Sequence, residues 1–461
     1  MHRIALTIYA FSFAGFVVGA TVARGESESA PRVSFVRDVA PILVGKCQGC
    51  HGPKTAESNY RLDTFDLLMQ AGDFGLPPIT ASSRDESEFH RLITSDDPEE
   101  RMPNNGDRLT DREIEVIDAW IAQGATFDGA DRTAALRTQI PRDLPHPSAP
   151  ATYASPLPIA AIAFSADGKQ LLTGGYHELL VWDPATGHLV SRVGNAPQRT
   201  YGMALSPDNS WLAVAGGADG VSGEVRLIPW LNGAAGSEPP KVLATGDDVF
   251  FDVAFRPDGK ELAASGADGS IRIFDVATGA ERLKVSNHAD WVTDVSYSAD
   301  GALIATASRD KSSKVFDAAT GRMLASNSET VAPVRGATFA PDGKSVVSVG
   351  GNGARVWKVE DSTTIGELPP FQGETQAIVS HGENVFAASA DRSVREFKLA
   401  DRTQVRAFAD HPAWVLSLAV NEPTHRVATG CFDGTVTVWN LDDGAKVTQF
   451  LAVPPAAPPA Q

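Results

Sequence analysis

The 461-residue sequence predicts a multidomain fold, a small all-α domain followed by an all-β domain of seven four-stranded sheets in a ring. Between residues 33 and 128, apolar side chains recur at helical spacing. From residue 157 onward, short apolar strands separated by turns recur with a period of 40 to 48 residues. A sheet that is apolar on both faces is not stable alone, and a closed ring of such sheets covers every face.

The overall composition indicates an ordered, acidic protein. Hydrophobic residues make up 43% of the chain and charged residues 21%, which excludes wholesale disorder. The net charge is −17, so we expect no nucleic acid partner, because duplex binding requires a dense basic face. Three cysteines are too few for a disulfide scaffold.

Residues 1–24 are predicted to form a signal peptide. A short basic start is followed by 20 uncharged residues, Ile4 to Ala23, and small residues offer cleavage after Ala20, Ala23 or Gly25. The alternative is an uncleaved membrane anchor, since about 20 apolar residues can span a bilayer. In both cases we expect a periplasmic or otherwise extracytoplasmic protein, associated with the membrane only if the segment stays uncleaved.

The domain predicted for residues 33–128 begins and ends with a helix. Ser34 is the expected N-cap of the first helix, with Phe35 on its buried face. Thr110 and Glu113 form a capping box before the last helix. The buried stripe of that last helix consists of Ile114, Val116, Ile117, Trp120 and Ile121.

Residues 129–155 are predicted to be an extended linker. Four prolines fall between positions 141 and 150, and proline lacks the donor that helices and sheets need. The β domain is then expected to occupy residues 156–453, and a disordered tail residues 454–461.

Each copy of the repeat has an Asp-Gly turn after its first strand and an aromatic residue at the end of its third strand. These turns include Ser165–Gly168, Arg256–Gly259, Ser298–Gly301 and Ala340–Gly343. The closing aromatic residues are Trp182, Trp230, Phe274, Phe316, Trp357, Phe397 and Trp439. This period and these endings resemble WD40 repeats, which form the blades of a β-propeller. We expect seven blades, with the last strand, Lys446–Leu451, returning to pair with the first unit and close the ring.

Polar residues at fixed places in the repeat extend the WD40 resemblance. The aspartates that match the family position between the second and third strands are Asp219, Asp268, Asp310, Asp391 and Asp433. In the family this aspartate joins a hydrogen-bonded chain with a His, a Ser or Thr, and the Trp. The implied complete set is His411, Thr429, Asp433 and Trp439, and the implied partial set is His288 and Asp310. We expect these groups to satisfy buried polar atoms and to have no catalytic role.

The chemistry-bearing motif is Cys47-Gln48-Gly49-Cys50-His51. In an exported protein, Cys-x-x-Cys-His predicts covalent attachment of one c-type haem, with Cys47 and Cys50 bonded to the haem and His51 on the iron. One alternative is a thioredoxin-like redox pair, which requires a βαβ context. Another is half of a zinc site, which requires a further Cys/His pair. The third cysteine, Cys431, lies about 380 residues away and is expected to be a small buried residue of a propeller strand.

Met102 is predicted to be the second axial ligand of the haem iron. It precedes Pro103 in a turn-rich stretch, and its thioether sulfur suits the iron. The competitors are Met69 and His90. Met69 lies in an apolar run where core packing is expected, and His90 lies in a helical segment at an expected surface position.

The helical domain resembles the planctomycete-type cytochrome c domain, which implies a class I-like cytochrome c fold. The residues that carry the resemblance are Phe35–Leu43, Cys47–His51, Arg61–Asp63, Arg91–Asp97, Met102-Pro103, Leu109-Thr110 and Trp120–Ala125. The family usually has a second proline after Met-Pro, and this chain has Asn104 instead. The resemblance implies haem c with His51 and Met102 as axial ligands.

A haem with both axial positions filled moves single electrons and activates no substrate. The sequence therefore predicts an extracytoplasmic mono-haem electron-transfer protein that meets redox partner proteins. Its propeller is expected to dock a protein partner, an expectation that rests on fold-level analogy. Two alternatives remain at this point: a haem enzyme with a second cofactor in the propeller, and a haem-based redox or ligand sensor.

Overall fold

A computed structural model of the chain describes residues 32–73, 75–104, 108–141, 146–231, 233–328 and 332–454. The chain divides into two compact units, Met1–Ile140 and Pro141–Gln461. The predicted signal peptide lies outside the described residues, and so does the predicted tail apart from Pro454. Within the described part of the chain, no helix is both long enough and apolar enough to cross a membrane.

The first unit is helical. It opens with a π-helical turn, Phe35–Val39, that continues into α1. A short 3-10 turn, Glu57–Asn59, follows the Cys-x-x-Cys-His segment. The α-helices are α1 (Ala40–Lys46), α2 (Phe65–Leu68), α3 (Glu88–Thr94), α4 (Asp111–Ala122) and α5 (Leu136–Gln139).

Two caps and an aromatic core hold the helical unit together. Ser34 accepts a hydrogen bond from the Arg37 N–H at 3.1 Å, as predicted for the first cap. The capping box of α4 is confirmed, with the Glu113 N–H donating to Thr110 at 3.3 Å and the Thr110 N–H donating to Glu113 at 2.7 Å. The fully buried core is built around Phe35, Phe65 and Trp120. Such packed aromatic rings bury large apolar areas and fix the relative positions of the helices.

The structure differs from the predicted extended linker at both of its ends. Leu136 is fully buried in the core of the helical unit, and its N–H donates to the Asp63 carbonyl at 2.8 Å. The Arg132 guanidinium lies 4.3 Å from the centre of the Phe65 ring. Residues 146–156 belong to the second unit and pack against its blades, as described below. Prolines exclude regular structure, but they leave neighbouring side chains able to pack.

The second unit is a seven-bladed propeller in which every blade is an antiparallel sheet of consecutive strands. Blades 1 and 2 consist of β1 (Ile162–Phe164), β2 (Leu171–Gly174), β3 (Glu178–Trp182), β4 (Leu189–Gly194), then β5 (Arg199–Leu205), β6 (Trp211–Ala218), β7 (Ser222–Leu231), the short β8 (Ala234–Ala235) and β9 (Lys241–Gly246). Blades 3 and 4 consist of β10 (Phe250–Phe255), β11 (Glu261–Gly266), β12 (Ser270–Asp275), β13 (Glu281–Ser286), then β14 (Val292–Tyr297), β15 (Leu303–Ser308), β16 (Ser313–Asp317) and β17 (Met323–Asn327). Blades 5, 6 and 7 consist of β18 (Val334–Phe339), β19 (Ser345–Gly350), β20 (Gly353–Lys358), β21 (Thr364–Glu367), then β22 (Thr375–His381), β23 (Asn384–Ser389), β24 (Val394–Lys398), β25 (Thr403–Phe408), and finally β26 (Val415–Asn421), β27 (Arg426–Cys431), β28 (Thr435–Asn440) and β29 (Lys446–Leu451).

The turns and aromatic residues of the repeat lie where the sequence predicted them. All seven closing aromatic residues lie on the third strand of their blades and are buried. In the first Asp-Gly turn, the Ser165 hydroxyl donates to Asp167 at 2.8 Å, and Gly168 has a φ of 65° that favours glycine. The predicted fold class is therefore confirmed.

The predicted closure of the ring is wrong. The last strand, β29, pairs with β28 of its own blade, with Leu451 opposite Thr435, and not with the first unit. Blades 7 and 1 instead meet side by side. The Ser417 hydroxyl donates to the Ile159 carbonyl at 2.6 Å, and apolar residues of both blades form one core cluster. The strand pattern predicts an outer strand, but it does not encode which neighbour that strand joins.

The polar sets differ from the resemblance in an instructive way. In blade 4, His288 contacts Asp310 and Thr306, both at 2.8 Å, so this set connects the aspartate to the threonine. In blade 7, His411 contacts Thr429 at 2.9 Å, but its other ring nitrogen faces the Arg392 carbonyl at 3.1 Å. The set implied for blade 7 therefore lacks Asp433, which instead accepts the Thr435 N–H at 3.0 Å. A backbone carbonyl has taken the place of the carboxylate.

Candidate functional site

The Cys-x-x-Cys-His segment forms a helical turn at the end of α1. The Cys47 N–H donates to the Leu43 carbonyl at 3.0 Å, and the His51 N–H donates to the Cys47 carbonyl at 3.0 Å. Residues three and four positions apart on a helical turn lie on one side of it, which places Cys47, Cys50 and His51 together. Cys47 is half-buried and Cys50 is exposed.

A cavity of about 240 Å³ in the helical unit brings the predicted site residues together. Cys47, Cys50, His51 and Met102 all line it. The apolar side chains that complete its wall include Leu62, Phe89, Leu92, Ile93 and Leu109. An apolar cavity with two thiols, an imidazole and a thioether on its lining has the donor set of a c-type haem site. The residues present therefore fit this cofactor.

The His51 imidazole is held with one nitrogen available to a metal. Its Nδ1 lies 3.3 Å from the Tyr60 carbonyl oxygen. Because a carbonyl only accepts hydrogen bonds, Nδ1 carries the proton and Nε2 keeps its lone pair. The Leu62 N–H donates to the His51 carbonyl at 2.9 Å, and the Tyr60 hydroxyl donates to the Leu68 carbonyl at 2.9 Å. The backbone around Tyr60, which accepts the hydrogen bond from His51, is therefore itself held in place.

Met102 is fixed next to helix α3. Its N–H donates to the Leu92 carbonyl at 3.0 Å. Just before it, Glu100 accepts from the Arg91 guanidinium at 2.7 Å, and Arg91 also binds Glu88 on the same helix. The Met102–Pro103 peptide bond is cis. The loop that carries the thioether is therefore tied to one wall of the cavity.

The two competing ligand candidates point elsewhere. The His90 ring contacts the Asp118 carboxylate at 2.7 Å, and Met69 packs against the apolar core. Neither residue lines the cavity. Of the three candidates, only Met102 does.

The electrostatics of the thiols disfavour the redox-pair alternative. Burial, reinforced by the negative charge of Glu113, raises the pKa of Cys47 to about 12. Burial and Glu57 also raise the pKa of Cys50. A catalytic thiol-disulfide pair requires a lowered pKa, usually at a helix N-terminus, whereas this pair follows a helix C-terminus. Among the described residues, no group of three or more His, Cys, Asp or Glu side chains is placed to hold a metal ion.

Comparison with known proteins finds a family match in each of the two units. Residues 47–106 match the family model described as planctomycete cytochrome C. Residues 238–275, 280–317 and 402–440 match the WD domain, G-beta repeat. Both matches agree with the predicted fusion of a planctomycete-type cytochrome c domain with a WD40 propeller. The family match to the cytochrome segment is shorter than the stretch of 33–128 that carries the resemblance in sequence, and it contains all four predicted site residues.

Curated relatives are WD-repeat proteins. The mouse WD repeat and HMG-box DNA-binding protein 1 is 32% identical over 104 residues, which are 22% of this chain and 9% of that protein. Periodic tryptophan protein 2 of Arabidopsis thaliana is 28% identical over 143 residues, 30% of this chain and 15% of that protein. The WD repeat-containing protein VIP3 of Arabidopsis thaliana is 30% identical over 127 residues, 26% of this chain and 40% of that protein. The chain thus covers less than half of each of these relatives. A WD40 propeller is a protein-interaction platform, so the chain couples a cytochrome c-like domain to such a platform.

Two features of the molecule were not anticipated from the sequence. The first is the Tyr60 carbonyl that orients His51, and a backbone group leaves no signal in a sequence. The second is a cavity of about 380 Å³ lined by residues from the innermost strands of all seven blades. Asp252 and Asp294 lie on its wall in neighbouring blades. They are 42 residues apart, one repeat period, and this shared position is a signal that sequence analysis could have used.

Proposed function

We propose that this protein is an extracytoplasmic mono-haem cytochrome c that transfers single electrons while its propeller docks a protein partner. The observation that carries the proposal is the cavity lined by Cys47, Cys50, His51 and Met102 together. In this assignment Cys47 and Cys50 would hold the haem covalently, and His51 and Met102 would ligate its iron.

The chain's own residues prepare the site for this cofactor. When bound, the haem supplies a reversible one-electron couple of its iron. A hydrogen bond from the Nδ1–H group to the Tyr60 carbonyl holds His51 in the tautomer whose Nε2 can bind a metal. The apolar wall limits water near the iron, and a thioether ligand raises the reduction potential. With two protein ligands on the iron, substrate activation is not expected.

The location and the docking role rest on separate support. The basic start and the 20 uncharged residues of segment 1–24 support export. The WD40 propeller supports a protein partner, which we expect to be the electron donor or acceptor or a protein that positions one. We expect no nucleic acid partner, in line with the net charge of −17.

The proposal is tested by expressing the full chain in a host that matures c-type cytochromes. The washed, denatured protein should keep a red chromophore with one haem per chain, measured by an alkaline pyridine spectrum against protein mass. The double variant Cys47→Ala/Cys50→Ala should lose the covalent haem. Cys431→Ala is the matched control, because this buried propeller cysteine should not affect haem content.

Four results would contradict the proposal. A colourless denatured protein would exclude covalent haem, and haem retained by the double variant would exclude the two attachment residues. A ratio of two haems per chain would favour the enzyme alternative over simple electron transfer. Cell fractionation tests the location separately, since recovery of the haem-loaded protein in the cytoplasm would refute export.

A further inference from the structure

The seam, by which we mean the contact between blades 7 and 1, contains no exchanged strand. All four strands of each of these blades come from consecutive chain segments. The seam therefore lacks the backbone ladder that would otherwise join the two ends of the ring. A propeller is a closed structure only if this contact holds, so the contacts that secure it are of particular interest.

The chain before the first strand is fastened first to blade 2. The His146 N–H donates to the Asn195 side-chain oxygen at 2.9 Å, and the His146 ring contacts the Glu224 carboxylate. Glu224 lies on β7 and is buried together with Arg226, whose Nε donates to it at 2.6 Å. A buried carboxylate requires such partners, because desolvation without them is costly.

The second attachment is on blade 1. The Tyr153 hydroxyl donates to Glu178 at 2.5 Å and accepts the Tyr176 N–H at 2.9 Å. Glu178 is only 1% exposed, and Arg192 donates to its carboxylate at 2.6 Å. The same guanidinium donates to the carbonyls of residues 150 and 151. The ion pair between exposed Arg192 and buried Glu178 therefore holds the segment at two places.

The third attachment reaches blade 7. The Ile159 N–H donates to the Cys431 carbonyl at 3.1 Å. Pro156 lies so close to the turn at Gly434 that a methyl group on that glycine would overlap it. The Tyr153 ring packs against the apolar cluster formed by blades 1 and 7 together. The segment thus bridges three consecutive blades before it enters β1.

We propose that residues 146–159, which we call the clasp, close the propeller ring in place of an exchanged strand. The clasp crosses blade 1 between attachments on blades 2 and 7, so the residues that contact blade 7 belong to a segment that blades 1 and 2 hold in place. The Glu178 and Glu224 carboxylates are buried, and breaking the clasp contacts leaves both with fewer hydrogen-bond partners. This inference does not depend on the haem.

The test is hydrogen exchange measured by mass spectrometry on the full chain. Tyr153→Phe keeps the ring and removes both hydrogen bonds of the hydroxyl. We expect amides of β1 and β27, the strands next to the seam, to exchange about tenfold faster, while β14 and β15 of blade 4 stay unchanged. Tyr201→Phe is the matched control, because its hydroxyl donates to Asp219 at 2.6 Å on blade 2 outside the clasp.

A second variant keeps the test decisive if Tyr153→Phe does not fold. Arg192→Lys keeps a cation near Glu178 but cannot donate to that carboxylate and to both clasp carbonyls together. Faster exchange confined to the seam in either clasp variant, and absent in Tyr201→Phe, supports the clasp. Unchanged exchange, equal acceleration in all blades, or the same effect in the control overturns it.

Discussion

Replacing Asp252 by asparagine should stabilise the propeller at neutral and alkaline pH. Asp252 and Asp294 lie on the wall of the propeller cavity and hydrogen-bond each other. Asp252 also accepts the Val295 N–H at 3.2 Å, and Asp294 accepts the Ala337 N–H at 2.6 Å. Burial raises the pKa of both carboxyls, and the neighbouring charge of Asp294 raises that of Asp252 further.

The sign of the pH dependence follows from these raised pKa values. A folded state that binds a proton more tightly than the unfolded state gains stability at low pH. The contribution is complete below the unfolded pKa of Asp, about 3.9, and is lost as pH rises through the folded pKa. At pH values around 8, folding must either take up a proton or place two negative charges side by side.

The size of the effect is bounded by the repulsion between the two charges. Two unit charges about 4 Å apart in a medium of effective dielectric about 20 repel by about 4 kcal/mol. The amide introduced by the substitution would still offer an N–H to Asp294 and a carbonyl oxygen to the Val295 N–H, so the hydrogen bonds persist. We therefore expect Asp252→Asn to raise the free energy of unfolding by about 1 to 4 kcal/mol at a pH of about 8, and to leave it nearly unchanged at about pH 4.

Urea unfolding of the full chain, followed by tryptophan fluorescence across that pH range, measures this difference. Asp310→Asn is a control of opposite sign. Although burial opposes it, hydrogen bonds from Ser312, the Ala289 N–H and His288 lower the pKa of Asp310. That variant should have a lower free energy of unfolding than the parent at neutral pH. Below the folded pKa of Asp310 the difference should be small. The reasoning is refuted if Asp252→Asn does not raise the free energy of unfolding at about pH 8. It is also refuted if the increase is the same at about pH 4 and about pH 8.

Three further predictions concern the haem site, the polar sets and the helical core. In the haem-loaded protein, Met102→Ala should keep the covalent haem but let the reduced form bind carbon monoxide. If the variant binds no more carbon monoxide than the parent does, Met102 is not a ligand. Thr306→Val should leave a ring nitrogen of buried His288 without its hydrogen-bond partner and lower the free energy of thermal unfolding by about 1 to 3 kcal/mol. A decrease within experimental error would show that water replaces the hydroxyl. Phe35→Ala should destabilise the helical unit by about 3 to 5 kcal/mol, measured by proteolysis of that unit. A shift in the unfolding transition of the propeller would contradict the division into two units.

The features that sequence analysis located are those whose chemistry or geometry restricts residue type and spacing together. Covalent haem attachment would require two thiols and an adjacent ligand at a fixed spacing, and Cys47, Cys50 and His51 fall within five positions, so the structure could only place them close together. The blade period is similarly restrictive, because each closing aromatic residue fills the same space between neighbouring sheets. Met102 was identified from its loop, and the structure places it on the cavity wall.

The features that sequence analysis missed depend on backbone groups or on partners distant in the chain. His411 meets a carbonyl where the family has a carboxylate, and a carbonyl is present at every residue. The outer strand β29 has the same alternating pattern whichever strand it pairs with. In the segment predicted as a linker, the prolines dominate the composition, but Leu136 and Tyr153 determine where its two ends pack.

The order of strands within each blade also has a consequence for how the propeller is made. Because every sheet is complete within its own stretch of chain, a chain that emerges from N- to C-terminus can finish each blade before the next appears. Joining the first and last blades is different, since it brings together groups as far apart as Ser417 and Ile159, 258 positions along the chain. Contacts between the first and last blades can therefore form only after the last blade has been synthesised.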